Sequence, residues 1–246
     1  MRKNTITFEN GNRAVVITAP RDADAQTIVK ALDFAPPHAL IMVLGGAKGL
    51  DDSRKARLTE LFSDAIAPEA AELGALIIDG GTQSGVMAMM GDAVARDGRR
   101  SQLLGIAPAE KVTYPGGPGE ACIADSAPLE PNHSHFVLVE SDKWGGETGT
   151  MFELARALNV PVATMLINGG SIAGSEALQT VRNGWQLLVV EGSGRFADEL
   201  SAAVRDGQVA KSVEVSEIVR SGRVTLFHVD GPLEKLRHEL RRILCG

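Results

Sequence analysis

Short apolar runs recur along the chain, most of them closed by glycine and followed by apolar residues at helical spacing. Leu40-Ile-Met-Val-Leu-Gly-Gly46, Ala75-Leu-Ile-Ile78, Leu103-Leu-Gly-Ile-Ala-Pro108, His133-Ser-His-Phe-Val-Leu-Val139, Val160-Pro-Val-Ala-Thr-Met-Leu-Ile167 and Trp185-Gln-Leu-Leu-Val-Val190 read as strands. Continuous apolar runs without polar alternation mark strands covered on both faces. Ala14-Val-Val-Ile-Thr18 reads as the first strand, after a polar start. Between the runs, stripes such as Leu58, Leu61, Phe62, Ala65 and Ile66, or Val86, Met90, Ala93 and Val94, predict amphipathic helices. The alternation predicts an α/β fold: a Rossmann-like parallel sheet with helices on both faces, in a single domain. Its core spans about 14–205. A strand over 224–229 and a helix opened by Pro232 form a C-terminal extension over 206–246. Residues 109–132, rich in proline and glycine, break the rhythm. A segment of this length without periodicity predicts either a lid over a ligand site or a surface excursion.

The glycines cluster where chemistry is expected. Gly45-Gly46, the run from Gly80-Gly81 to Gly85, the run from Gly145-Gly146 to Gly149, and Gly192-Ser193-Gly194 all follow strands and precede helices. In open α/β sheets, ligands sit beyond the C-terminal strand ends. Glycine lets backbone amides approach such a ligand, and helix N-termini favour anions. Each turn, taken alone, is equally a tight connection with Ser84 as helix cap. Four at equivalent positions favour a phosphate cradle. None has the Walker or dinucleotide-fingerprint spacing, which disfavours an NTPase and an ordinary dehydrogenase.

His133 and His135 alternate, so on a strand both would share one face. His133 is a candidate ligand contact and His135 a core histidine. No cysteine or carboxylate set completes a metal site around them. Trp144 is either a stacking platform for a base or a packed loop residue. Glu191-Gly-Ser-Gly lacks the first glycine of a nucleophile elbow, which argues against a serine hydrolase.

With 44% hydrophobic and 23% charged residues, the chain has the balance of a soluble globular protein. A net charge of −6 argues against general nucleic-acid binding. No apolar run reaches the length of a membrane span and no signal peptide opens the chain, so a cytoplasmic location is expected. Cys122 and Cys245 make no metal or redox spacing.

Gly80-Gly-Thr-Gln-Ser-Gly-Val-Met87, Leu129-Glu-Pro-Asn-His-Ser-His-Phe136 and Leu188-Val-Val-Glu-Gly-Ser-Gly-Arg195 resemble the N-terminal cytosolic region of melastatin-type transient receptor potential channels. They also resemble that region's stand-alone prokaryotic relatives, of the LSDAT type in the SLOG superfamily. The superfamily includes the Lonely Guy phosphoribohydrolases. The resemblance covers about 40–204. It implies a Rossmann-like fold that binds ADP-ribose, cyclic ADP-ribose or a similar NAD-derived molecule, as a sensor and without a required cofactor. Carried over, it places Gly45 and Gly46 under the ligand. Gly80, Gly81, Thr82, Ser84, Gly85 and Val86 fall around phosphate, and Asn132 and His133 at the strand entrance. Glu191, Gly192, Ser193, Gly194 and Arg195 fall on the ribose and phosphate side. Arg195 is the best single charge for an anion.

Gly145-Gly-Glu-Thr-Gly-Thr-Met-Phe-Glu153 is similar to the Lonely Guy signature, with one extra residue between the glycine pairs. The loop brings Gly145, Gly146, Thr148 and Gly149 to the site. Its Glu153 would serve an alternative activity, cleavage of a nucleotide N-glycosidic bond. Equally, Thr150 and Glu153 form a capping box. A third reading is an interaction module that works as a homo-oligomer.

Overall fold

The structure is a computed structural model and describes residues 1–46, 49–117, 125–206 and 212–246. It opens on β1 (Arg2–Thr7) and β2 (Arg13–Ala19), then α1 (Ala25–Leu32) and β3 (Ala39–Gly45). Helix α2 (Asp52–Leu61) runs through a π turn (Phe62–Ile66) into α3 (Ala67–Glu72). Strand β4 (Ala75–Asp79), α4 (Gly85–Arg96) and β5 (Leu103–Pro108) follow. After two short strands, β6 (Val112–Thr113) and β7 (Ala127–Pro128), come β8 (His135–Val139), α5 (Thr148–Leu158) and β9 (Val162–Ile167). The chain finishes with α6 (Ser171–Arg182), β10 (Gln186–Glu191), α7 (Arg195–Asp206), α8 (Val213–Arg220), β11 (Val224–His228) and α9 (Leu233–Cys245).

One nine-stranded sheet runs β1-β2-β8-β5-β4-β3-β9-β10-β11. Only the β1–β2 pair is antiparallel, so this is the Rossmann-like α/β fold that the alternation predicts. From β3 the chain steps through β4, β5 and β8, then returns to lay β9 on the other side of β3. The strand order thus reverses between β3 and β9, and their C-terminal ends open a crevice there.

Strand β3 shows how one apolar run serves two layers. Leu40, Met42 and Leu44 enter the core beneath α1, α5, α6, α7 and α8. Ala39, Ile41 and Val43 enter the opposite core beneath α2, the π turn, α3, α4 and α9. Every residue from Ala39 to Leu44 is buried. The π turn coincides with Pro68, whose ring would collide with the carbonyl of Asp64 in a regular helix. The wider turn, closed by Ala67 N–H donating to the Phe62 carbonyl, relieves that clash.

Strand β1 departs from the sequence expectation. Of its residues only Ile6 is buried, so the segment carries no apolar run to read. Its hairpin turns at Asn10-Gly11, where Gly11 has φ +83°. Of the segment expected as a lid, residues 109–117 and 125–132 do not line the crevice, and 118–124 lie outside the described residues. Val112 and Leu129 pack with Phe136 and Leu138 over a sheet face that, among the described residues, none of α1 to α9 joins. The capping box also fails: α5 begins at Thr148, with Glu147 as cap residue, and Thr150 is buried inside the helix. Cys122 lies outside the described residues.

The C-terminal strand and helix are built into the same sheet and core. β11 pairs with β10, and Leu236, Leu240 and Leu244 of α9 pack beside Phe62 and Ile66. Glu69, fully buried on α3, pairs with Arg237 and Arg241. Arg57 donates to the carbonyls of Val229 and Gly231 at 2.8 and 2.6 Å, fastening the turn before α9.

Candidate functional site

A cleft of about 330 Å³ opens at the β3–β9 switch point. Gly45 closes β3 at its floor. A Cβ there would lie 2.4 Å from the Ile167 carbonyl oxygen and 2.9 Å from Val86 Cγ2. Glycine is therefore what lets β3 end against β9 and α4. Gly80 and Thr82 enter from the β4 turn, Trp144 and Glu147 from the β8 loop, Gly170 to Ala173 and Glu176 from α6, and Arg195 from α7. Gly81 has φ +65°, and a Cβ on it would come 2.7 Å from the Gly105 Cα. The turn thereby packs backbone on backbone and holds Gly80 at the cleft.

Helices α4, α5 and α6 begin around this cleft, at cap residues Ser84, Glu147 and Gly170, and none of the three makes a side-chain cap bond. The Ser84 hydroxyl bonds Thr82 instead, at 3.0 Å. The first amides of these helices thus have no cap side chain as acceptor among the described residues, and they carry the positive ends of the helix dipoles. Helix α7 is different. Phe196 and Ala197 donate to the carbonyls of Gly169 and Asn168, which latches its start onto the β9 turn.

That latch positions Arg195. Its backbone is left-handed, φ +50°, a conformation that costs about 1 kcal/mol or more outside glycine. A Cβ on Gly170 would lie 2.8 Å from Arg195 Nη2, and one on Gly46 would lie 3.7 Å from Nη1. The guanidinium therefore lies across bare backbone at the start of α6. Among the described residues no carboxylate pairs with it. Trp144 is fixed by the segment before β7, its indole N–H donating to the Asp125 carbonyl and carboxylate at 3.3 and 3.2 Å.

Other expected residues lie elsewhere. His133 precedes β8 instead of lying on it and is fully buried, so it does not reach the cleft. It bridges Asp79 Oδ1 at 2.8 Å and Glu130 Oε2 at 2.7 Å. Burial opposes charge on this ring, but Asp79 and Glu130 outweigh it and raise its pKa to about 9. Asp79 also accepts from the Gly81 amide at 2.7 Å, tying the triad to the glycine turn. Asn132 is held by Glu130 and Asn12, away from the cleft. Ser193 is fully buried, accepting from the Asn168 amide and donating to the Val190 carbonyl. Glu191 turns to Arg205. With Gly192 and Gly194, both at positive φ, these residues shape the turn beneath Arg195.

The remaining positions divide by packing. Val86 is buried, and Gly85 starts α4 at φ +54°. Gly145 meets Ile172 at the cleft wall, while a Cβ on Gly146 would strike Ser141 Oγ at 2.0 Å. A Cβ on Gly149 would meet open space. Glu153 does not line the cleft. Its side chain is 50% exposed on α5 beside Arg156, so the alternative activity loses its acid.

Two acids within the cleft were not selected by sequence. Glu147 lies inside the quoted glycine signature, and Glu176 sits on α6 with no local motif to mark it. Thr148, an expected site residue, faces Glu176, donating to its Oε1 at 3.0 Å.

The profile of the family described as SLOG in TRPM, prokaryote, matches residues 38–237. The chain belongs to this family. This SLOG chain is 28% identical over 269 residues to transient receptor potential cation channel subfamily M member-like 2 of Nematostella vectensis, covering 89% of this chain and 17% of that protein. It is 30% identical over 220 residues to subfamily M member 2 of Mus musculus, covering 75% and 14%. The chain thus spans under a fifth of the length of these relatives. Among the described residues, no helix is long and apolar enough to cross a membrane.

Proposed function

We propose that the switch-point cleft binds a phosphate-bearing, nucleotide-derived small molecule and that the chain acts as a ligand-sensing domain. ADP-ribose, cyclic ADP-ribose and related NAD-derived molecules are the first candidates. The observation that carries this reading is Arg195, a guanidinium without a carboxylate partner among the described residues, held over glycine backbone at the α6 N-terminus. Guanidinium forks match phosphate oxygens, and the uncapped helix starts add to the same local potential. Trp144, which also lines the cleft, supplies an indole on which a base can stack. The volume lies at the lower end for small-molecule pockets and suits a mononucleotide-sized group.

Calorimetry and thermal shift with AMP, NAD and ADP-ribose test the proposal. A bound ligand raises the melting temperature by mass action. Arg195→Ala weakens that ligand by about 1.5–3 kcal/mol, the range for a hydrogen bond to a charged group. Absence of any nucleotide effect, or equal affinity in the variant, refutes it. Release of free base from AMP replaces simple binding with turnover.

A further inference from the structure

Glu147, at the cap of α5, and Glu176, on α6, meet in the cleft. Both line it, and both are only 7% exposed. They occupy the α5 and α6 side, while Arg195 enters from α7. Glu176 accepts the Thr148 hydroxyl. Burial first, and then the neighbouring Glu147, lift its pKa to about 8, against the pull of that hydrogen bond. Glu176 is therefore largely protonated at neutral pH, and burial raises the Glu147 pKa as well. That limits their repulsion of a phosphate held at Arg195.

Glu147 is the unusual member. Its Oε2 is buried and has no hydrogen-bond partner among the described residues. Leaving such an acceptor unmade costs free energy. The terminal torsion of a glutamate is broad, so either oxygen can turn toward the cleft. Backbone amides of Gly145 and of Glu147 itself reach the carboxyl, yet Oε2 is left over and α5 does not use the side chain as a cap. An acceptor awaiting a donor, lining the same cleft as a cation awaiting an anion, defines a ligand with both groups.

We propose that Glu147, backed by Glu176, is the specificity-determining acceptor for the vicinal hydroxyls of a ribose ring whose phosphate lies at Arg195. A carboxylate accepts two adjacent hydroxyls at once, and such charge-assisted bonds are short and strong. This rests on the phosphate-binding reading above and narrows it: the cleft selects ribonucleotide-type ligands over those lacking the diol.

The test is calorimetry with AMP and 2′,3′-dideoxy-AMP, on the intact chain and on Glu147→Ala. The intact chain binds AMP at least about tenfold more tightly, the equivalent of one hydrogen bond to a charged group. In Glu147→Ala the two ligands bind within about twofold of each other, and the affinity for dideoxy-AMP is kept. Glu147→Gln keeps the shape and loses the charge. It narrows the preference by at least about threefold, and it reads the same effect if the alanine variant fails to fold. Equal binding of both ligands by the intact chain overturns this inference while phosphate recognition stands. A preference that survives both substitutions overturns it too. Binding of neither ligand removes the phosphate reading and this one with it.

Discussion

The buried triad Asp79–His133–Glu130 yields a pH effect whose sign and size follow from geometry. Both ring nitrogens of His133 contact carboxylate oxygens, at 2.8 and 2.7 Å. A neutral imidazole has one N–H, so one carboxylate would face a lone pair; the imidazolium satisfies both. Charge on the ring is thus favoured in the folded state, and its pKa rises from 6.5 to about 9. A raised folded-state pKa contributes stability that is complete below the unfolded value and is lost as pH climbs through the folded one. The loss therefore falls between about pH 6.5 and 9. A shift of this size corresponds to about 3 kcal/mol. Urea unfolding across pH 6–10, on the intact chain and on His133→Gln, isolates the effect of the triad, since titrations outside it cancel in the difference. The intact chain should lose about 3 kcal/mol more than the variant over that interval. Parallel profiles, or a ring titrating near 6.5 by NMR, would refute the reasoning.

Gly45→Ala should lower the melting temperature, because its Cβ meets the fixed Ile167 carbonyl, at a cost of about 1–3 kcal/mol. An unchanged transition would show that β3 and β9 can part without penalty. Replacing Arg237 and Arg241 together by Met strands buried Glu69 and should cost roughly 3–5 kcal/mol in urea unfolding. Adding Glu69→Met should restore most of it; failure to do so would mean the arginines act through packing. Glu153→Gln should leave nucleotide affinity and any base release unchanged, and a loss in either assay would return that residue to the site.

The sheet was legible because its strands are buried on both faces and therefore apolar throughout, as Ala39 to Leu44 illustrate. Strand β1 was not, being an edge strand whose pairing needs backbone and little side-chain burial; the Asn10-Gly11 turn was the available signal. At the site, glycine positions were readable because close backbone approach demands glycine, as at Gly45. The direction of polar side chains was not. His133 and Ser193 stand in motif positions yet point inward to satisfy buried partners, a choice made by contacts such as Asp79 that are remote in sequence. Glu176 became visible only when α6 brought it beside Thr148. The resemblance located the loops, whereas the inward or outward aim of each side chain depends on three-dimensional packing.

The reversal of strand order has a consequence for how the chain assembles. Leu40 pairs with Val162, and Gly45 with Ile167, so the cleft is a seam between segments that are synthesised far apart in time. Neither the β3–β4 half nor the β9–β10 half contains it alone. Contacts of such long sequence separation form late and slowly. Anything held in the cleft touches both halves, so its occupancy reports a completed chain and opposes separation of the two. Occupancy would then slow proteolysis that depends on the halves coming apart, in regions well beyond the residues that line the cleft.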